Sequence, residues 1–147
     1  MTHNMNEPAW QFQYSVECNA TRRFAWSYWT NIANWDDPPA KFILDGPFAV
    51  GSRLTTILPG QTFSSVIRDV KPEREATIEM QLPDAILSFQ WKFEELPKNQ
   101  TRITQRFVLF GTNAESFVSQ ARIMESSAPE GMKKIAAAIE HAQRTDS

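Results

Sequence analysis

Cysteine and histidine are nearly absent from this chain. Cys18 is the single cysteine, and His3 and His141 are the two histidines. No intramolecular disulfide can form and no multi-thiolate zinc site can be assembled, so no metal is expected. General base chemistry needs a side chain held rigidly against its substrate. His3 lies in the opening stretch and His141 near the other end, and neither position promises that placement. The five glycines are scattered, and Gly46 and Gly51 bracket Pro47 without the glycine-rich spacing and lysine of a phosphate cradle. That segment reads as a hairpin loop. No apolar run approaches the roughly twenty residues of a membrane span, and Met1 to Pro8 lacks the apolar centre of a signal peptide. Charge does not accumulate either: fifteen Lys and Arg stand against seventeen Asp and Glu, a formal charge of -2, with the basic residues dispersed. Phosphate-backbone recognition needs a concentrated cationic face, so nucleic acid is excluded as a partner. A soluble, cytoplasmic protein with no membrane insertion and no cofactor is the expectation.

Aromatic residues are plentiful: ten Phe, five Trp and two Tyr in 147 residues. Large aromatic area serves a core, and it also suits an apolar cavity. With 41% hydrophobic and 22% charged residues, the composition is that of a globular chain. The length suits one domain, expected over residues 9–144, with flexible tails at 1–8 and 145–147.

Trp10, Phe12, Tyr14, Val16 and Cys18 alternate with Gln11, Gln13, Ser15 and Glu17, the pattern of a half-buried strand. Thr21 then caps a short helix whose apolar residues are Phe24, Ala25, Tyr28, Trp29 and Ile32. Arg22 and Arg23 at its start oppose the helix dipole. Asn34 to Pro39 reads as a loop in which Asp36 and Asp37 are solvated. Strands follow at Phe42–Asp45, Ser52–Leu58, Thr62–Val70, Ala76–Leu82, Leu87–Phe93 and Ile103–Leu109, separated by turn residues such as Pro59-Gly60 and Pro83-Asp84. Glu94-Glu95 reads as solvated. From Phe117 the apolar period becomes helical through Ala121, Met124, Ala128, Met132, Ile135 and Ile139. Pro129 is expected to kink or interrupt this helix, and Ser127 with Glu130 to form a capping box that restarts it.

A strand, a helix, six strands joined by short turns and a long helix imply an α+β domain. Its antiparallel sheet of about seven strands must bury one face, and the long C-terminal helix is the element able to cover it. A helix lying across curved strands leaves part of the concavity unfilled, and such spaces bind ligands. The ladder of Leu87, Phe89, Trp91 and Phe93 has two readings, core packing or cavity wall. On the cavity reading, Tyr14, Thr56, Trp91 and Gln105 carry polar atoms on inward faces, and Phe89, Phe107, Met124, Ala128 and Met132 supply apolar lining.

The chain resembles the START-like, or SRPBCC, superfamily, within it the polyketide cyclase/dehydratase group. The resemblance is carried by Tyr14-Ser15-Val16 leading to Ala20-Thr21, by Trp26, and by Asn34-Trp35. Further carriers are Leu44 to Gly51, Val66 to Pro72, Thr101 to Thr104, and Pro129-Glu130-Gly131-Met132. It implies a helix-grip fold and a hydrophobic cavity, in a superfamily that holds lipid and hormone carriers, aromatase/cyclases and chaperone cofactors. Arg22 and Arg23 depart from the proline and acids that the family often has there. Three functions stay open: binding of a small hydrophobic molecule (lipid, aromatic or polyketide-like), a cyclase or dehydratase working by positioning, and an interaction or stress-related cofactor domain with an incidental pocket. No catalytic residue is named by the sequence, and it leaves the oligomeric state open.

Overall fold

The computed structural model describes residues 7–35 and 37–145. The elements in chain order are β1 (Trp10–Cys18), α1 (Arg22–Trp29), β2 (Lys41–Leu44), β3 (Arg53–Leu58), β4 (Gln61–Lys71), β5 (Glu75–Leu82), β6 (Ala85–Leu96), β7 (Gln100–Phe110) and α2 (Val118–Thr145). The strands form one antiparallel sheet of seven in the order β1-β7-β6-β5-β4-β3-β2, so a meander from β2 to β7 is closed by β1 adding beside β7. This is the expected α+β helix-grip arrangement, an open sheet with one long C-terminal helix. That helix packs along β1. His3 and Asp36, and most of the expected tails, lie outside the described residues; Thr145 is the last residue of α2.

Local chemistry places the boundaries. Thr21 caps α1 as expected, its Oγ1 accepting from the Phe24 N–H at 3.2 Å. The Thr21 N–H donates to Gln143 Oε1 at 2.9 Å, which joins the start of α1 to the end of α2. The β6 and β7 strands are longer than their apolar alternation suggested. Polar flanks such as Glu95 and Thr101 pair in register beyond the apolar stripe, because backbone bonding continues where side-chain hydrophobicity stops. At the β7 exit, Gly111 has φ +121°, and a Cβ there would sit 2.8 Å from the Ala85 Cα; only glycine lets the chain pass so close.

The expected break at Pro129 does not occur: α2 runs unbroken from Val118 to Thr145. Nor does the capping box form. Ser127 Oγ donates to the Ile123 carbonyl at 3.4 Å, as Ser126 Oγ does at 2.9 Å, and Glu130 pairs with Lys133 at 3.5 Å. Packing on both sides of the proline overrides its local penalty. Ala121 is buried in one core cluster, and Met132, Ala136 and Ile139 in another. Burying a side chain the size of Met132 or Ile139 contributes about 1.5–3 kcal/mol, enough to offset the hydrogen bond that proline removes.

Those two clusters divide the inner face. The larger gathers α1 and one end of the sheet around Trp26, Trp29, Trp91, Phe93, Ile103 and Ile139. The smaller holds Trp10, Leu87, Phe107 and Leu109 against Ala121.

Candidate functional site

Residues directly opposed across an antiparallel pair share a face, so the register assembles the inner wall row by row. One row runs Tyr14, Gln105, Trp91, Ala76 across β1, β7, β6 and β5. The next runs Phe12, Phe107, Phe89, Ile78. Five of the expected site residues, Tyr14, Gln105, Trp91, Phe89 and Phe107, are therefore contiguous. Met124 and Ala128 of α2 are half-buried against the smaller cluster, while Met132 is sealed in the larger. Thr56 stands apart on β3, opposite Phe42 and Phe63, three strand spacings or about 14 Å from β6.

Exposure within this patch is uneven. Phe107 and Trp91 are buried, yet Phe89, between buried Ile78 and Phe107 in the middle of the sheet, is only half-buried. Tyr14 and Gln105 are half-buried as well. An apolar ring on a central strand keeps that exposure only if the helix does not close over it. Among the described residues, the Tyr14 hydroxyl, the Gln105 amide, the Trp91 Nε1 and the Thr56 hydroxyl make no hydrogen bond, and the one sealed side-chain polar atom without a partner is Arg22 Nε. Each of the four tips therefore keeps some accessible surface and is not sealed in a dry core. The inward positions from Trp10 to Cys18, Ala76 to Leu82, Ala85 to Phe93 and Thr101 to Leu109 carry no charged side chain.

Beside this patch lies an aromatic cluster that sequence reasoning did not assemble. Trp29 packs tilted against Trp91 at 4.8 Å between ring centroids and edge-on to Phe48 at 5.1 Å, and Trp26 meets Phe93 edge-on at 5.3 Å. Trp26 lies three positions before Trp29 on α1, a spacing that turns both to one side. The sequence stripe of Phe24, Ala25, Tyr28, Trp29 and Ile32 left it out, and Phe48 comes from the β2–β3 loop, whose approach no local pattern encodes. Trp35 Nε1 donates to the Trp29 carbonyl at 2.6 Å and fixes the rim of this cluster.

Cys18 is buried at the end of β1. Burial first, and the charge of Glu140 second, push its thiol up to about 11, against a backbone hydrogen bond with Ala20. It is a protonated core residue at neutral pH. Among the described residues no three His, Cys, Asp or Glu side chains gather as metal ligands, and His141 is exposed on α2. No described helix is long and apolar enough to cross a membrane.

No family model and no curated protein matches the chain. Solved structures do. Norcoclaurine synthase from Thalictrum flavum, in complex with dopamine and hydroxybenzaldehyde, superposes with a TM-score of 0.69 at 15% identity, covering 93% of this chain and 87% of that one. The Zhui aromatase/cyclase from Streptomyces sp. R1128 gives a TM-score of 0.67 at 15% identity, with 88% and 93% covered. A protein from Arthrobacter aurescens gives 0.66 at 16% identity, with 94% and 93% covered. The fold of this chain is SRPBCC-like. Likeness at 15–16% identity shows the fold alone.

Proposed function

We propose that residues 9–144 form a single binding unit that takes a small, uncharged hydrophobic molecule, of lipid, aromatic or polyketide type, between the inner face of the sheet and α2. The observation that carries this reading is the row of Tyr14, Gln105 and Trp91, whose polar tips have no partner among the described residues yet stand beside the half-open ring of Phe89. Polar groups on an apolar wall orient a ligand while the wall binds it. The similar structures support the reading, one being solved with dopamine and hydroxybenzaldehyde.

A second reading is a polyketide cyclase or dehydratase. The Tyr14 hydroxyl and Gln105 amide are neutral donors placed side by side, a pairing that can polarise a carbonyl while the wall folds the chain behind it. Similarity in fold to an aromatase/cyclase favours it.

Native mass spectrometry of the purified protein tests the binding reading. A retained apolar molecule, or uptake of Nile red that Tyr14→Phe and Gln105→Leu weaken, is expected. An empty protein whose probe binding ignores both substitutions would overturn it. Turnover of a linear poly-β-keto thioester that is lost in Tyr14→Phe would favour the enzyme.

A further inference from the structure

One edge of the sheet leaves backbone groups unpaired among the described residues. Along β1 the long helix α2 packs against the strand. At the opposite edge β2 pairs only with β3. The Asp45 N–H donates to the Arg53 carbonyl at 3.0 Å, whereas the Ser52 carbonyl points the other way, to the Ile67 N–H at 3.0 Å. That alternation makes Lys41 and Ile43 the β2 residues that exchange bonds with β3. The N–H and C=O of Phe42 and Leu44 therefore point out of the sheet, and no backbone or side-chain group among the described residues meets them. Such a row is a template for another strand.

The side chains of this edge form a self-complementary set. Lys41, Ile43 and Asp45 share the outer face, because successive strand residues alternate. Lys41 is exposed and makes no ion pair among the described residues. Ile43 is 56% exposed, one of three large apolar side chains so placed among the described residues. Asp45 Oδ1 accepts from the Arg53 N–H at 2.6 Å, which fixes the carboxylate and leaves its other oxygen free; the Arg53 guanidinium makes no ion pair with it. A two-fold axis at Ile43 presents Asp45 to Lys41, Ile43 to itself and Leu44 to Phe42. Moving the axis one residue either way sets Lys41 or Asp45 against Ile43, and one residue further sets like charges opposite each other, which is unfavourable. The Ala40 N–H is taken by the Asp37 carbonyl at 2.9 Å, so the ladder is confined to Phe42 and Leu44. A short strand with a lysine is also a common way to blunt an edge. Blunting, however, calls for neither an exposed isoleucine at the centre nor an acid spaced to answer the lysine.

We propose that a second copy of this chain adds at β2, antiparallel about a two-fold axis through Ile43, and joins the two seven-stranded sheets into one. Phe42 exchanges backbone bonds with the partner's Leu44. Ile43 meets the partner's Ile43 in a non-hydrogen-bonded pair, where side chains lie closest, and Lys41 pairs with the partner's Asp45 at both ends. The contact is isologous and closes on itself, so assembly stops at the dimer. With so short a strand the contact is smaller than a standard interface, and the dimer forms in a concentration-dependent way. None of Tyr14, Phe89, Trp91 and Gln105 takes part, and the binding reading can fail without touching this one.

Sedimentation velocity over two decades of concentration should show the mass rising from one chain toward two. Amide hydrogen exchange at the high end should slow at Phe42 and Leu44 and stay unchanged at Ile43, whose N–H already bonds to β3. Ile43→Arg should weaken association at least tenfold and leave Nile red binding as in the parent. Lys41→Glu and Asp45→Lys should each be monomeric, and an equimolar mixture of the two should dimerise again, because only the mixed pair restores opposite charges at both ends. Ile43→Arg, at an exposed position, carries the test alone should Asp45→Lys disturb the Arg53 contact. A chain that stays monomeric throughout would overturn the proposal and leave the edge to an extended segment of another protein. Association that ignores Ile43→Arg, folded charge variants that do not recover on mixing, or protection gained along β1 in place of β2 would overturn it as well.

Discussion

The indole Nε1 of Trp10 donates to Glu125 Oε1 at 2.6 Å, tying the first strand to the middle of the long helix across 115 positions of sequence. It acts between buried Ala121 and Met132, where the inward residues of α2 are the half-buried Met124, Ala128 and Pro129. Because the acceptor is a carboxylate, Glu125→Ala should cost about 1–2 kcal/mol, with water recovering part of the loss. The denaturant midpoint measures this. Hydrogen exchange should rise over residues 119–128 and not over 132–143. An unchanged midpoint would show the bond to be replaced by solvent at no cost.

Pro129 leaves the carbonyl of Glu125 without its helical donor. Pro129→Ala restores that donor, and since proline is roughly 3 kcal/mol worse than alanine inside a helix, stability should rise by about 1–3 kcal/mol. Thermal and denaturant midpoints should both increase. A loss would mean that the ring itself fills space between α2 and β1.

Tyr14→Phe and Gln105→Leu remove polar tips that have no protein partner among the described residues. Neither leaves a buried group stranded, so each should change stability by less than about 0.5 kcal/mol. Nile red affinity should fall up to about tenfold in Tyr14→Phe, the worth of one ordinary hydrogen bond. Large stability losses with unaltered probe binding would return both residues to the core.

The Cys18 thiol gives stability a dependence on alkaline pH. The folded thiol ionises at about 11 against an ordinary value of 9.0, so between these values the unfolded chain gives up a proton that the folded chain retains. Stability is complete below about pH 9 and declines as pH rises toward 11, by roughly 2–3 kcal/mol for a difference of that size. Cys18→Ala should lose less stability between pH 8 and pH 10.5 than the parent, measured by urea unfolding. Parallel declines would assign the effect to other groups.

Where hydrophobic alternation was strong, the sequence was readable. The Trp10–Cys18 strand and the Thr21 cap stand where the pattern put them, and Trp91 faces Gln105 across the expected β6–β7 pair. Local rules misjudged Pro129, because a packing energy summed over both core clusters outweighed one residue's propensity. Relationships that depend on non-local register were not readable. Trp10 with Glu125 and Phe48 with Trp29 bring together residues whose individual neighbourhoods are unremarkable polar or aromatic stretches. The polar inner-face candidates were found only because Tyr14 and Gln105 interrupt apolar stripes.

The absence of charge along the inward positions of β1, β5, β6 and β7 has a bearing on speciation. An ionised acid would surrender its hydration shell and find no cation among these positions, while Glu125, bonded to Trp10, adds negative charge at their edge, so the neutral form of a weak acid is favoured. For a fatty or aromatic carboxylic acid, apparent affinity should drop about tenfold for each pH unit above the guest's own pKa, a slope set by the guest and not by the protein. Matched methyl ester and free acid, titrated from pH 4 to 8, would separate a flat profile from a falling one. On the proposed binding reading, the inner face would sort acids by protonation before it sorts them by shape.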